Sequence, residues 1–106
     1  MDFLKLAEIE EKEIVPGYHG RFVHSDKMTM AFWNVDAGAP LPEHSHPHEQ
    51  IMSLMKGQFE FVVDGKKEIH EPGSVVVIPS NVPHSGKAVT ASQIIDVFHP
   101  AREEYR

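Results

Sequence analysis

Short apolar segments separated by glycine, proline and asparagine turn signals run through most of this chain. The clearest segment is 58–63, where apolar and polar residues alternate with the period of two that a half-buried strand requires. Asp64 and Gly65 follow, a pair typical of a two-residue hairpin because glycine adopts a positive φ at little cost. The returning strand is then predicted at 66–70. The same reasoning predicts further strands at 21–24, 28–35, 51–55, 74–78 and 92–98.

The pattern contains no long amphipathic helix. Segment 4–11 is the one ambiguous stretch, since it can form either a helical turn or an edge strand. Many short strands with turn signals between them indicate an all-β barrel or sandwich. A length of 106 residues suits one domain, 1–106. Because so short a chain builds only a small core, oligomerisation is a common supplement, and we expect a homodimer.

Composition narrows the classes of partner. The net charge of -6 argues against nucleic acid and against anionic membranes. The absence of cysteine leaves nitrogen and oxygen as the ligands for any metal. The first residues lack the apolar stretch of a signal peptide, and no apolar run approaches the roughly 20 residues of a membrane span. We therefore expect a cytoplasmic protein.

Histidines are concentrated at 44–48, where three occur within five residues, and His84 follows a second glycine- and proline-rich stretch. Residues two apart in an extended segment point to the same side, so His44 and His46 project together. Imidazole is the commonest metal-binding side chain. The pattern therefore predicts a divalent-metal site.

Two motifs around these histidines resemble those of the cupin superfamily. In order along the chain, the matching positions are Gly38, His44, His46, Gln50 and Gly57, then Gly73, Pro79 and His84. The resemblance implies a jelly-roll (double-stranded β-helix) barrel that holds one metal. Its ligands would be the side chains of His44, His46, Gln50 and His84.

Three positions depart from the family pattern. Gln50 stands in place of a glutamate, which removes a negative charge and leaves the metal more of its Lewis acidity. Asn81 replaces a turn glycine, a mild change because asparagine tolerates left-handed φ. Ala88 stands where asparagine is common. Imidazole and amide ligands suit one divalent transition metal, Ni, Zn, Mn, Fe or Co, without selecting among them.

The last strand presents two different faces. Ile94, Asp96 and Phe98 share one of them, and Ile95 and Val97 share the other. A carboxylate that points into a barrel is costly unless it is paired, protonated or functional. The alternative is that Asp96 lies on a solvent-exposed face or pairs with Arg102.

The Asp-x-Phe-x-Pro-x-Arg pattern at 96–102, together with His-Ser-His-Pro-His-Glu-Gln at 44–50, is similar to the KdgF-type cupins. Those proteins linearise the 4,5-unsaturated monouronates released from pectin or alginate. The resemblance implies an active site that contains Asp96, Phe98 and Arg102. Arg102 would bind the substrate carboxylate, Phe98 would form a wall against the sugar, and Asp96 would move a proton.

Other residues receive weaker assignments. Phe59 and Phe61 share a strand face and are expected in the core. Tyr18 and Arg21 are candidate pocket residues, and either face of 28–33 can form the pocket wall. His48 and Glu49 do not match ligand positions. The remaining histidines are expected at the surface or behind the site: His19, His24, His70 and His99.

The leading function is a metal-dependent enzyme that opens or isomerises a small anionic sugar acid. One alternative is an Fe(II) dioxygenase of the cupin type. Another is a non-enzymatic module that binds a small molecule. Asp96 favours an enzyme over a binding module, since a carboxylate near Arg102 would repel an anionic ligand.

Overall fold

The computed structural model describes residues 1–106 and is built almost entirely of strands. Short 3-10 turns occur near the two ends, at Leu6–Glu8 and Glu103–Tyr105. Neither has the length or the apolar character that crossing a membrane would require. The ten strands are β1 (Lys12–Val15), β2 (Tyr18–His24), β3 (Thr29–Val35), β4 (Pro40–His44), β5 (Glu49–Lys56), β6 (Phe59–Val63), β7 (Lys66–His70), β8 (Val75–Ile78), β9 (His84–Ala88) and β10 (Ser92–His99).

The strands form two antiparallel sheets. The larger sheet has the order β1-β2-β3-β10-β5-β8, and the smaller has the order β4-β9-β6-β7. Strands distant in sequence are therefore neighbours, which is the arrangement of a jelly roll. The expected all-β fold is confirmed, with its two sheets in a jelly-roll arrangement.

All seven predicted strands are present, with ends that differ by up to three residues. The predicted hairpin joins β6 and β7, and its two central residues, Asp64 and Gly65, have φ of 49° and 79°. Positive φ at both positions is the signature of a type I′ turn. Asn81 also adopts the left-handed conformation expected of it, with φ of 64°.

Three strands were not predicted from the sequence pattern: β1, β4 and β9. β4 reads Pro-Leu-Pro-Glu-His and β9 reads His-Ser-Gly-Lys-Ala. Neither contains the branched and aromatic residues that make a strand recognisable. They are extended because they pair with each other, and β9 also pairs with β6. The ambiguous segment at the N-terminus contains the first 3-10 turn, and the edge strand β1 follows it.

The core lies between the two sheets. On β3, the face formed by Thr29, Ala31 and Trp33 points inward, whereas Met30 on the opposite face is exposed. The predicted core residues Phe59 and Phe61 are both buried. Burial of one such side chain contributes about 1.5–3 kcal/mol. The inner faces of β3, β5 and β10 thus set the wall on which the site is built.

Candidate active site

Three histidines converge at one end of the barrel. His44 ends β4, His84 begins β9, and the two are paired across the smaller sheet, while His46 lies in the loop that follows β4. Their ring centroids are 4.2 Å (His44–His84), 4.9 Å (His46–His84) and 5.7 Å (His44–His46) apart. One nitrogen of each ring lies within 4.8 Å of the other two. This is close to the roughly 4 Å that two metal–imidazole bonds can span.

Each ring is oriented by a backbone carbonyl two residues away along the chain. The Nδ1 atoms of His44, His46 and His84 contact the carbonyl oxygens of Pro42 (2.9 Å), His48 (3.0 Å) and Val82 (2.9 Å). An Nδ1–H that donates to a carbonyl leaves Nε2 with a free lone pair, which is the form that binds a metal. His48 thus supports the site through its main chain.

The side chains at this centre fit a divalent cation. His84 Nε2 is buried without a hydrogen-bond partner. His46 Nε2 lies 3.1 Å from Gln50 Oε1, which brings two electron-pair donors face to face. Burial lowers the pKa of His46, and it lowers the pKa of His84 to about 4. Neutral imidazoles and an amide oxygen with no proton between them suit a bound ion.

A cavity of about 250 Å³ opens beside the histidines. Ligand pockets usually measure about 300–1,000 Å³, so this one suits a small molecule. Its wall is mostly apolar, and the polar side chains that reach it include those of His44, Gln50, His84, Asp96 and Arg102.

Asp96 points from β10 into this cavity and is 7% exposed. Its Oδ2 accepts a hydrogen bond of 3.0 Å from the indole nitrogen of Trp33, while its Oδ1 is buried without a partner. Burial raises the pKa of the carboxyl to about 6, against the opposing effects of Gln50, Trp33 and Arg102. The alternative in which Asp96 lies on a solvent-exposed face or pairs with Arg102 is therefore wrong, since the carboxyl is buried and forms no ion pair with Arg102. By geometry, one carboxyl oxygen is bare, that is, without a hydrogen bond, although the Gln50 amide lies close enough to lower the pKa of the group.

Arg102 reaches the same cavity from the segment after β10. Its guanidinium carbon lies 4.7 Å from the centre of the Phe98 ring and 4.5 Å from that of Tyr105. Its Nε donates to Glu104. A guanidinium that contacts two neighbouring aromatic rings on adjacent sides is both stabilised and confined in orientation.

The structure also shows where Tyr18, Arg21 and Glu49 lie relative to the cavity. Tyr18 lines the cavity, and its hydroxyl donates to the Ala39 carbonyl. Arg21 does not reach the cavity, since its side chain donates to the Ile9 carbonyl and to Glu11. The candidate pocket assignment of Arg21 is therefore wrong. Glu49 is exposed and lies outside the cavity wall.

Two residues of the site were missed. Trp33 was left undecided because its strand carries apolar residues on both faces, and the sequence does not say which face is inward. Tyr105 was overlooked, although its position three residues after Arg102 suits contact within a 3-10 turn, which has three residues per turn.

Comparison with known proteins places these features in a family. The family model described as "Cupin domain" matches residues 31–98. The pectin degradation protein KdgF of Dickeya dadantii (strain 3937) is 31% identical over 83 residues, which cover 76% of each chain. The structure of KdgF from Halomonas sp. matches with a TM-score of 0.93 and 28% identity over 100% of this chain and 99% of its own. An RmlC-like cupin from Shewanella frigidimarina matches with a TM-score of 0.94 and 26% identity over 100% and 96%. The chain therefore belongs to the cupin family and resembles its KdgF-type members.

Proposed function

We propose that this protein is a metal-dependent enzyme of pectin or alginate breakdown that opens 4,5-unsaturated monouronates to linear 4-deoxy-5-keto uronates. One observation carries the proposal: candidate metal ligands, a bare carboxylate oxygen and a confined guanidinium meet on one small cavity. A metal site alone would suit many reactions. The similarity to two KdgF proteins supports the choice of substrate class.

The carboxylate of the sugar acid would be bound by Arg102. Because Nε of Arg102 already donates to Glu104, the two Nη nitrogens are the donors left for a ligand. Two parallel hydrogen bonds from guanidinium to carboxylate are strong and directional. This pairing would place the sugar between Arg102 and the histidines, against the ring of Phe98.

Metal ligation is assigned to His44, His46, Gln50 and His84. When bound, a divalent ion would polarise the oxygen atoms of the substrate. The amide of Gln50 adds no negative charge, so it leaves that polarising power undiminished. The ion is one of Ni, Zn, Mn, Fe or Co, since nitrogen and oxygen ligands suit all five.

Asp96 would carry the proton. Its Oδ1 has no protein partner and can accept the proton of the anomeric hydroxyl. The bond between carbon 1 and the ring oxygen then breaks, which leaves an aldehyde at carbon 1 and an enol oxygen at carbon 5. Return of the proton to carbon 4 converts the enol to a ketone. No atom is gained or lost, so the reaction is an isomerisation and needs no oxidant.

The test follows the ultraviolet absorbance of the conjugated double bond in 4,5-unsaturated galacturonate. Metal-loaded protein, chelator-stripped protein and buffer alone are compared, because such sugars open spontaneously. We expect the loaded protein alone to accelerate the loss of absorbance. Equal decay in all three would refute the proposal. Oxygen uptake with Fe(II) would then test the dioxygenase alternative, and ligand titration would test the binding module.

Two further expectations stay predictions: a homodimer and a cytoplasmic location. Sedimentation of the purified protein would test the first of them.

A further inference from the structure

The segment that carries Arg102 is attached to the hairpin formed by β2 and β3. The backbone N–H of Arg102 donates to Thr29 Oγ1 at 2.8 Å. His24 Nδ1 lies 2.8 Å from the same hydroxyl, and His24 Nε2 lies 3.1 Å from the carbonyl oxygen of Tyr105. Arg106 adds a bond of 2.8 Å from its Nη2 to the Ser25 carbonyl.

For a neutral His24 ring, these contacts fit one assignment of hydrogens. A carbonyl can only accept, so His24 Nε2 carries the proton that Tyr105 receives. Nδ1 of the neutral ring is then an acceptor, and the hydroxyl of Thr29 donates to it. The oxygen of that hydroxyl in turn accepts the N–H of Arg102. Every donor then has an acceptor. The Arg102 N–H donates to Thr29, the Thr29 hydroxyl donates to His24, and His24 donates to the Tyr105 carbonyl.

This chain of bonds is partly buried and lies outside the cavity. Thr29 is 0% exposed, and neither Thr29 nor His24 lines the cavity. Both lie on the six-stranded sheet, where Thr29 pairs with His24 on one side and with Phe98 on the other. A hydroxyl at this position thus joins the sheet to the segment after it.

The attachment of the C-terminal turn affects the position of the Arg102 guanidinium. The guanidinium of Arg102 packs against two neighbouring rings, Phe98, which belongs to the sheet, and Tyr105, which belongs to the final 3-10 turn. The distance between these two rings, 6.3 Å between centroids, depends on where that turn lies. His24 and Thr29 hold the turn at both of its ends, at the Arg102 N–H and at the Tyr105 carbonyl. They therefore fix the position of the Tyr105 ring, one of the two surfaces against which the guanidinium packs.

We propose that His24 and Thr29 are positioning residues for Arg102, which hold the C-terminal turn so that the guanidinium meets the carboxylate of the ligand. The role of Arg102 toward a sugar acid rests on the proposed function. The attachment of the turn rests on the hydrogen bonds alone. Neither residue touches the substrate.

The variants are Thr29→Val, which removes the hydroxyl but keeps the shape, and Thr29→Ser, which restores it. His24→Phe removes both ring nitrogens but keeps an aromatic ring beside Phe22. With 4,5-unsaturated galacturonate, we expect Thr29→Val and His24→Phe to lower kcat/KM about 10-fold, chiefly through KM. Thr29→Ser should stay close to the parent protein.

A double-mutant cycle separates positioning from a general structural role. In an Arg102→Ala background, Thr29→Val should change kcat/KM less than about 2-fold, because the group that it positions is already gone. An equal loss in both backgrounds would overturn the proposal. Far-ultraviolet circular dichroism checks that every variant is folded.

Nuclear magnetic resonance supplies a readout that needs no substrate. Exchange of the Arg102 backbone amide should accelerate in Thr29→Val and stay slow in Thr29→Ser. The Nε–H signal of Arg102 should broaden or shift in Thr29→Val and in His24→Phe. If the parent protein opens no uronate, the proposed function fails by itself. The positioning proposal is then decided by the Arg102 signals, and an unchanged Nε–H signal in both variants overturns it.

Discussion

A single carboxyl group, Asp96, illustrates how neighbouring residues prepare a side chain for proton transfer. The indole of Trp33 holds one oxygen and leaves the other bare. Burial is the main cause of the raised pKa of this carboxyl. A buried polar atom without a hydrogen-bond partner destabilises a fold, so its presence here indicates a functional role.

Asp96→Asn tests the proton carrier. Asparagine has the same shape, and its side-chain oxygen can still accept from Trp33, but it cannot take up a proton at neutral pH. We expect kcat to fall about 10²–10⁴-fold, the usual contribution of general acid–base catalysis. Metal content, measured by atomic absorption, should stay the same. Full activity with normal metal content would remove Asp96 from the proposed mechanism.

At the scale of elements, the turn between β5 and β6 is hydrogen-bonded to the turn between β9 and β10. Gln58 accepts the N–H groups of Val89 and Thr90 at its carbonyl and donates its own N–H to the Thr90 hydroxyl. Gly57 allows this close approach. Its φ is +88°, and an added Cβ would press on the carbonyl oxygen of Ala91 and lie 2.7 Å from Ser92 Oγ.

Gly57→Ala and Gly65→Ala form a matched pair. Both glycines have positive φ, +88° and +79°, but an added Cβ at Gly65 meets nothing within 4 Å. Both substitutions therefore carry a similar conformational cost, about 1–2 kcal/mol for a left-handed residue. We expect Gly57→Ala to lose a further ~1–3 kcal/mol of unfolding free energy from overpacking. Urea denaturation measures both, and equal losses would show that the turns can separate freely.

At the scale of the whole molecule, the candidate ligands come from both sheets. His44 and His84 belong to the smaller sheet, Gln50 to the larger, and His46 to the loop between them. An ion bound by all four would join the two sheets. Metal binding should thus be coupled to global stability.

Thermal unfolding with and without metal checks this coupling. Free ion at about 100 times its Kd should add about 2.7 kcal/mol to the unfolding free energy. In a chain of this size, that corresponds to a rise in Tm on the order of 10 °C. His84→Ala should abolish the rise, whereas His99→Ala, at an exposed position, should preserve it. A rise that survives in His84→Ala would place the ion elsewhere.

Local patterns were sufficient to predict most of the fold. Alternation of apolar and polar residues identified the strands, and the Asp64–Gly65 pair identified the hairpin, because both signals arise between near neighbours. β4 and β9 were missed because they owe their extended form to each other. Arg21 was assigned to the wrong surface, since the sequence does not reveal that Glu11 and Ile9 engage it.

By itself, the sequence determined the fold class and the candidate metal-binding motif, since strand period, turn chemistry and histidine spacing are local properties of the chain. The tertiary structure decided which face of each strand points inward and which groups meet there. It brought Trp33 to Asp96 across 63 positions and His24 to Tyr105 across 81. Such contacts follow from strand order and register, and these depend on the packing of the whole barrel.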